Sequence, residues 1–324
     1  MKIAYLLHTD LPCSVLYASI NELIKQKDHV FVMVNSDKDR DEVTMHYGND
    51  CRVHISRTQQ FAQEGDMSLA RGTLLQIRDS LESDYGPFDY YINLYDGMLP
   101  LKSRDEIVHF LEENHSDCFY IDRTEKEDPS LRKKTLKYYP YTNLLSFPTK
   151  KSVRRHTRNM ASFLNLLHIR RKLDDTIEIG SPWFILTEAT AKVLADKFAY
   201  CSSTFKLSWY AEEMYLPMMI HKFMPQETHI NKDYRAVGPE GSWQESQGIR
   251  PITKEVLSKE TDALFGGAFL PTIDEELYAE VLVRYNAGYS NAYAAACSEE
   301  EKTPESFNKL VNTFSKKNKD EENQ

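Results

Sequence analysis

An α/β fold with a doubly wound, mostly parallel sheet is predicted by three observations. The chain opens β-α-β, its second strand is apolar on both faces as a central parallel strand would be, and strands alternate with helical periodicity through the first 125 residues. Lys2–Leu7 is a short apolar run and reads as the first strand; Leu11–Gln26 has helical spacing. His29–Val34 (His-Val-Phe-Val-Met-Val) is the second strand, and Cys51–Ile55 a third. Ser68–Leu81 places apolar residues at 69, 70, 74, 75, 77 and 81, the repeat of a helix with one buried face. Tyr90–Leu94 reads as a strand. Ser103 reads as the cap of a helix over Arg104–Glu113, and Cys118–Ile121 as the next strand. In such a sheet ligands bind at the carboxyl ends of the strands, so the loops after 34 and 94 are the expected nucleotide contacts.

Composition narrows the class. A chain of 324 residues, 41% apolar, can bury one large core. No run of 18 apolar residues occurs, and Met1–His8 turns polar too soon for a signal peptide, so a cytoplasmic protein is expected. Cysteines at 13, 51, 118, 201 and 297 are odd in number and form no CxxC pair, which points to scattered structural thiols. The net charge of −9 argues against a nucleic-acid partner. Charge is nonetheless segregated: Arg132–Lys172 holds twelve Lys and Arg and no Asp or Glu, leaving −21 on the remainder. Tyr138, Tyr139, Tyr141, Phe147 and Phe163 are interleaved with these cations. That stretch is either a solvated face or a surface for an anionic ligand or membrane.

Neither GxGxxG nor GxxxxGK[ST] is present, which removes the main support for dehydrogenase and P-loop readings. Asp37-Lys38-Asp39 follows a strand and could imitate an Asp-x-Asp metal loop, although the neighbouring cations compete with a metal and turns are often rich in Asp. His8, ending the first strand, either points into the site or is a satisfied structural histidine. Gly180-Ser181-Pro182-Trp183-Phe184 reads as a small-residue turn carrying an indole just before a helix. Trp183 is either a sugar-stacking platform or a core residue, and Gly180 and Ser181 would let an acceptor approach the backbone. Ala211-Glu212-Glu213 opens another helix. Adjacent residues there lie about 100° apart, so one of the two acids can face a substrate while the other faces elsewhere.

The order of these segments resembles the core-2/I-branching β-1,6-N-acetylglucosaminyltransferase family, which includes peptide O-xylosyltransferases and bacterial members. Likeness runs from Met1 to about Phe269: the opening strand, Tyr91-Ile92-Asn93-Leu94 with Pro100-Leu101-Lys102-Ser103, Gly180–Phe184, Ala211-Glu212, and Trp243 followed by Arg250-Pro251-Ile252-Thr253. The resemblance implies a GT-A-like fold and a UDP-sugar donor, GlcNAc first among sugars. It also implies inversion at the anomeric carbon without an obligatory metal, a divalent Mn or Mg remaining optional. It makes Glu212 the base, with Glu213 as fallback, and Trp243 an acceptor contact beside Gly180, Ser181 and Trp183. The acceptor would be a glycan or a lipid-linked glycan, with the protein peripheral at the inner face of a membrane. The implied catalytic domain is 1–293, divided into a nucleotide-binding half (1–125) and an acceptor and base half (126–293), with 294–324 a polar extension.

Two departures stand out. Asp96-Gly97 exchanges the order of glycine and aspartate in the family's block, so Asp96 is an uncertain donor contact. Phe265-Gly266-Gly267-Ala268-Phe269 lacks the basic residue that relatives place at the leaving diphosphate. Arg250, Lys254, the basic stretch, or the backbone N–H groups of a Gly266-Gly267 turn would have to replace it. Loss of that cation also admits a catalytically degenerate binding or scaffold subunit.

Overall fold

The structure, a computed structural model, describes residues 1–9, 14–24, 27–56, 67–95, 97–139, 151–208, 211–226, 228–238, 251–269 and 274–281, without the side chains of 14 and 151–157. Its main sheet contains β1 (Ile3–Thr9), β2 (His29–Val34), β3 (Val53–Ile55), β4 (Tyr90–Tyr95), β6 (Asp117–Thr124), β7 (Glu178–Thr187) and β8 (His229–Ile230). The order across the sheet is β3-β2-β1-β4-β7-β6-β8. β1 pairs in parallel with β2 and β4, whereas β7 runs antiparallel to both β4 and β6. A smaller sheet, β5 (Leu99–Pro100), β10 (Phe265–Gly267) and β9 (Arg235–Val237), packs against it through Phe265, which meets Tyr5 and Trp183.

Alternation along the strands produces two apolar layers. Ala4, Leu6, Phe31, Tyr91, Phe184 and Leu186 pack with α3 (Met67–Leu81), α7 (Glu188–Asp196), α8 (Phe198–Thr204) and α9 (Ala211–Phe223). Tyr5, Leu7, Val32, Ile92, Trp183 and Ile185 pack on the other face with α1 (Ser14–Leu23), α2 (Asp37–Tyr47) and α4 (Arg104–Asn114). The wide apolar face of Met67–Leu81 thus has a sheet to cover, as its spacing predicts. Ser103 caps α4 with a capping box: its Oγ accepts from the Glu106 amide while the Glu106 carboxylate accepts from Ser103 N. Cys118 and Cys201 are buried free thiols. Among the described residues no helix is long and apolar enough to cross a membrane.

Three expectations are corrected here. Asp37 begins α2, whose N-cap Ser36 accepts from Asp39 N, and Asp37 pairs with Arg40 at 2.6 Å. Acids in a first helical turn are favoured by the helix dipole, which accounts for the Asp-x-Asp spelling without a metal loop. Gly180–Phe184 is not a turn but lies inside β7. There Gly180 is required by β6, because a Cβ at 180 would fall 2.0 Å from the Tyr120 carbonyl oxygen. Gly266-Gly267 is not an anion-binding turn either: it is the central strand of the small sheet, antiparallel to β5 and parallel to β9. A Cβ at 267 would meet the Gly97 carbonyl oxygen at 2.7 Å, so packing between strands explains the glycine.

At the far edge, His29 Nδ1 and His54 Nε2 lie 2.9 Å apart in a partly buried pair, flanked by Phe31, Tyr85 and Phe88. Burial, then the charge of His29, pulls His54 down to about 4, and burial followed by Lys2 pulls His29 down as well. Both folded values lie below the unfolded one, so the unfolded chain takes up protons first as pH falls. The pair's contribution is therefore full above about 6.5 and is lost as pH drops toward about 4. Solvent access reduces it to about 1 kcal/mol. A melting temperature followed from pH 7.5 to 4.5 should fall more steeply in the wild type than in His54→Gln; parallel curves would remove the pair from the acid response.

Candidate active site

The carboxyl ends of β1, β2 and β4 place three polar side chains along one sheet edge. His8, 6% exposed, ends β1 and holds Asn35 Oδ1 through Nε2 at 3.2 Å, joining the ends of β1 and β2. Asn93, buried within β4, clamps the neighbouring antiparallel strand. Its Nδ2 donates to the Pro182 carbonyl at 2.9 Å and to the Tyr95 hydroxyl at 3.0 Å, while its Oδ1 accepts from Phe184 N at 2.6 Å. Tyr95 in turn donates to the Pro182 carbonyl at 3.3 Å. Side-chain amide groups of this kind satisfy backbone atoms that an antiparallel neighbour would otherwise leave open at the end of a ladder.

Two charged groups converge on this corner from other elements. Glu212 lies in the first turn of α9, which packs against β7, and is 4% exposed. Glu213 beside it is half-buried. From the small sheet comes Arg235 on β9, paired with Asp233 through Nε at 3.0 Å and Nη2 at 2.8 Å. Its Nη2 also donates to Ser181 Oγ, and its guanidinium lies over the Trp183 ring at 5.8 Å. The Tyr95 hydroxyl senses both: burial pushes its pKa up most, the Arg235 charge pulls it down, and the Glu212 charge pushes it up. Tyr215, one turn along α9, is also raised, first by burial, with Tyr95 and Glu212 adding to it. The Tyr95 hydroxyl, at the carboxyl end of β4, thus feels the charge of a buried carboxylate and of a guanidinium, and the carboxyl ends of strands are where such sheets bind ligands. A buried carboxylate can take a proton from a hydroxyl, and a guanidinium can hold an anionic leaving group.

The remaining residues singled out by sequence distribute differently. Ser181 belongs to the corner through its contact with Arg235. Trp183 is fully buried among the core side chains, so in this conformation neither ring face is open to a sugar. Lys254, 56% exposed, opens α10 (Lys254–Lys259) and faces Glu276 at 3.8 Å and Glu280 at 3.5 Å on the surface. Asp96, Trp243 and Arg250 lie outside the described residues, as does the extension 294–324. Among the described residues no group of three or more His, Cys, Asp or Glu is placed to hold a metal ion.

Arg235 was not legible as a site residue. Its only trace in sequence is an aspartate two positions before it, the spacing that lets Asp233 Oδ1 also accept from Arg235 N at 3.0 Å. The register explains its importance: Arg235 pairs with Phe265, so it stands on the strand next to the segment that lacks the family's cation.

The family model for the core-2/I-branching enzyme matches residues 3–259, a span that includes β1, Asn93, Ser181, Glu212 and Arg235. A search of curated proteins finds no match. With the match covering most of the chain and the mixed α/β sheet consistent with a GT-A-like glycosyltransferase fold, the protein belongs to the core-2/I-branching family of glycosyltransferases.

Proposed function

We propose that the chain is an inverting transferase that moves a sugar, GlcNAc first among candidates, from a UDP-sugar to a hydroxyl of a glycan or lipid-linked glycan. The observation that carries this reading is Glu212, a buried carboxylate in the first turn of α9 whose charge raises the hydroxyl pKa of Tyr95 at the end of β4. Inversion needs in-line displacement of the diphosphate by the acceptor oxygen, and that oxygen must lose its proton as the new bond forms. A single carboxylate within hydrogen-bond reach of the acceptor suffices. A divalent ion remains an optional partner of the diphosphate. His8 and Asn35, joining the ends of the first two strands, fit the uridine side of the crevice.

Arg235 takes the part of the missing cation. A charge pair at contact is worth about 1 kcal/mol in water and about 4 at an effective dielectric of 20, so without such a cation the bond to the leaving diphosphate would break slowly. Asp233 and Ser181 hold the guanidinium in a fixed orientation. Arg235→Ala is expected to lower kcat/KM by tenfold or more, as loss of a charged hydrogen bond worth about 1.5–3 kcal/mol requires. UDP affinity measured by calorimetry should fall in parallel; unchanged UDP affinity would exclude Arg235 from the diphosphate.

The reading is tested by thermal shift with UDP-GlcNAc, UDP-glucose, UDP-galactose and UDP-xylose, each with manganese and with EDTA. A donor at a hundredfold its dissociation constant adds about 2.7 kcal/mol and should raise the melting temperature by several degrees. No shift with any UDP-sugar would count against the donor assignment. UDP binding with no turnover over a panel of acceptors would favour the degenerate binding subunit, the reading that the missing cation near Ala268 keeps in play.

A further inference from the structure

Helix α6 (Lys151–Leu166) and the turn behind it carry the largest set of exposed apolar side chains among the described residues. Ala161 is buried and anchors the helix to the body, whereas Phe163 is 56% exposed, Leu166 72%, Leu167 53% and Ile169 46%. Phe163, Leu166 and Leu167 stand at i, i+3 and i+4, so they share one stripe that faces away from Ala161. The chain turns sharply directly after them: His168 adopts φ 60°, and Ile169 N returns to the Leu164 carbonyl at 2.9 Å. Four apolar side chains are thereby gathered at one protruding corner. A monomeric protein seldom exposes such a group without a use for it.

The surroundings of the corner are cationic. Lys133, Lys134, Arg158, Arg170 and Lys172 are exposed, and among the described residues none of the five makes an ion pair. Lys137 and Arg170 are joined by a β-bridge, which brings the basic 132–137 segment against the chain leaving α6. Three residues beyond Ile169, Lys172 enters the lining of a polar hollow of about 410 Å³ together with Arg171, Lys206 and Lys222. Asp174 and Asp175 line it too, and Asp175 is taken up by Lys222 at 2.7 Å. Arg171 is 5% exposed and, among the described residues, its guanidinium donates to neutral oxygens, those of Thr135, Ser208 and Thr204. No Asp or Glu occurs from 132 to 172, although the protein as a whole is acidic at −9.

We propose that this corner is a docking surface for an anionic lipid bilayer. Phe163, Leu166, Leu167 and Ile169 enter the headgroup boundary, and Arg158, Arg170, Lys172 and the 133–137 cations meet lipid phosphates. Neither feature is sufficient alone: four side chains bury too little apolar area for stable anchoring, and cations alone release in salt. Paired, they form the combination that holds amphipathic segments at membrane surfaces. The −21 carried by the rest of the chain repels the same surface, which orients the molecule with this corner inward. The inference does not depend on the donor or on Glu212, because it concerns binding and not turnover.

Flotation of the full chain with vesicles of phosphatidylcholine alone, or with one third phosphatidylglycerol, tests it. Binding is expected only with the anionic lipid and should weaken by tenfold or more between 50 and 300 mM salt (about a twofold change in Debye length). Arg170→Ala/Lys172→Ala should weaken binding about thirtyfold, and Leu166→Ser/Leu167→Ser should abolish flotation while leaving the melting temperature and soluble-acceptor turnover unchanged. All these side chains are exposed, so the variants fold. Absence of flotation by the wild type, equal binding to neutral vesicles, or wild-type binding by both variants would overturn the proposal. So would a wild-type dimer that Leu166→Ser/Leu167→Ser converts to a monomer without any vesicle binding, since the corner would then be covered by a second copy.

Discussion

Glu212→Gln is expected to lower kcat by about 10²- to 10⁴-fold, the range lost when a positioned general base is removed. The substitution preserves length and shape, keeps hydrogen-bonding capacity, and removes only the ability to accept a proton at neutral pH. The KM for the donor should change little, because a base acts on the acceptor hydroxyl and its effect is felt in the transition state. Stability should hold or rise, since a carboxylate 4% exposed to solvent carries a desolvation cost that a neutral amide avoids. Glu213→Gln is the matched control. Its side chain is half-buried and points about 100° away around α9, so turnover within about threefold of wild type is expected. Full-speed sugar transfer by Glu212→Gln, or loss confined to Glu213→Gln, would displace the base assignment. Rate-limiting product release would hide a chemical defect, so single-turnover measurements belong beside the steady-state ones.

The part of the fold that depends on periodicity was legible, and the part that depends on contacts between distant segments was not. His29–Val34 declares itself as a central strand because both its faces are buried, and the structure bears this out with the same bounds. Ser103 and Glu106 give a capping box three residues apart, a local signal that needs no partner. Gly180–Phe184, in contrast, has the composition of a turn and the conformation of a strand. Its glycine answers to the Tyr120 carbonyl on the neighbouring strand, far away in sequence, and its serine to the equally distant Arg235. Gly266-Gly267 has the same character: the glycine that looks like a flexible loop is fixed by the Gly97 carbonyl. The carboxylate at 212 could be read from its motif and its place in a first helical turn. The arginine proposed as its companion could not, because its place comes from the pairing of β9 with β10, and the only local hint is Asp233 two positions before it.

Trp183→Ala should be among the most destabilising single changes in the protein, at about 3–5 kcal/mol, because truncating a fully buried indole leaves a cavity that its surroundings close only in part. Phe265 lies 6.5 Å away ring to ring and the Arg235 guanidinium covers the indole at 5.8 Å, so the cavity would open beneath the cation of the proposed site. A fall in melting temperature of about 4–8 °C is expected for a chain of this size. Trp183→Leu separates core from platform. Leucine keeps an apolar side chain of useful bulk but has no flat face, so a packing role predicts a loss of about 2–4 kcal/mol with an acceptor KM near wild type. No hydrogen bond among the described residues is sacrificed, since there the indole Nε1 is buried without a partner. A sugar-stacking role predicts the opposite pair of results: little loss of stability and an acceptor KM raised tenfold or more, because a pyranose ring bound on an aromatic face would lose that contact entirely. The indole's zero exposure decides for packing. Acceptor contacts would then come from other side chains, Ser181, which Arg235 holds, among them. An acceptor KM that rises for Trp183→Leu at unchanged stability would require the strand to shift and expose the ring when substrate binds.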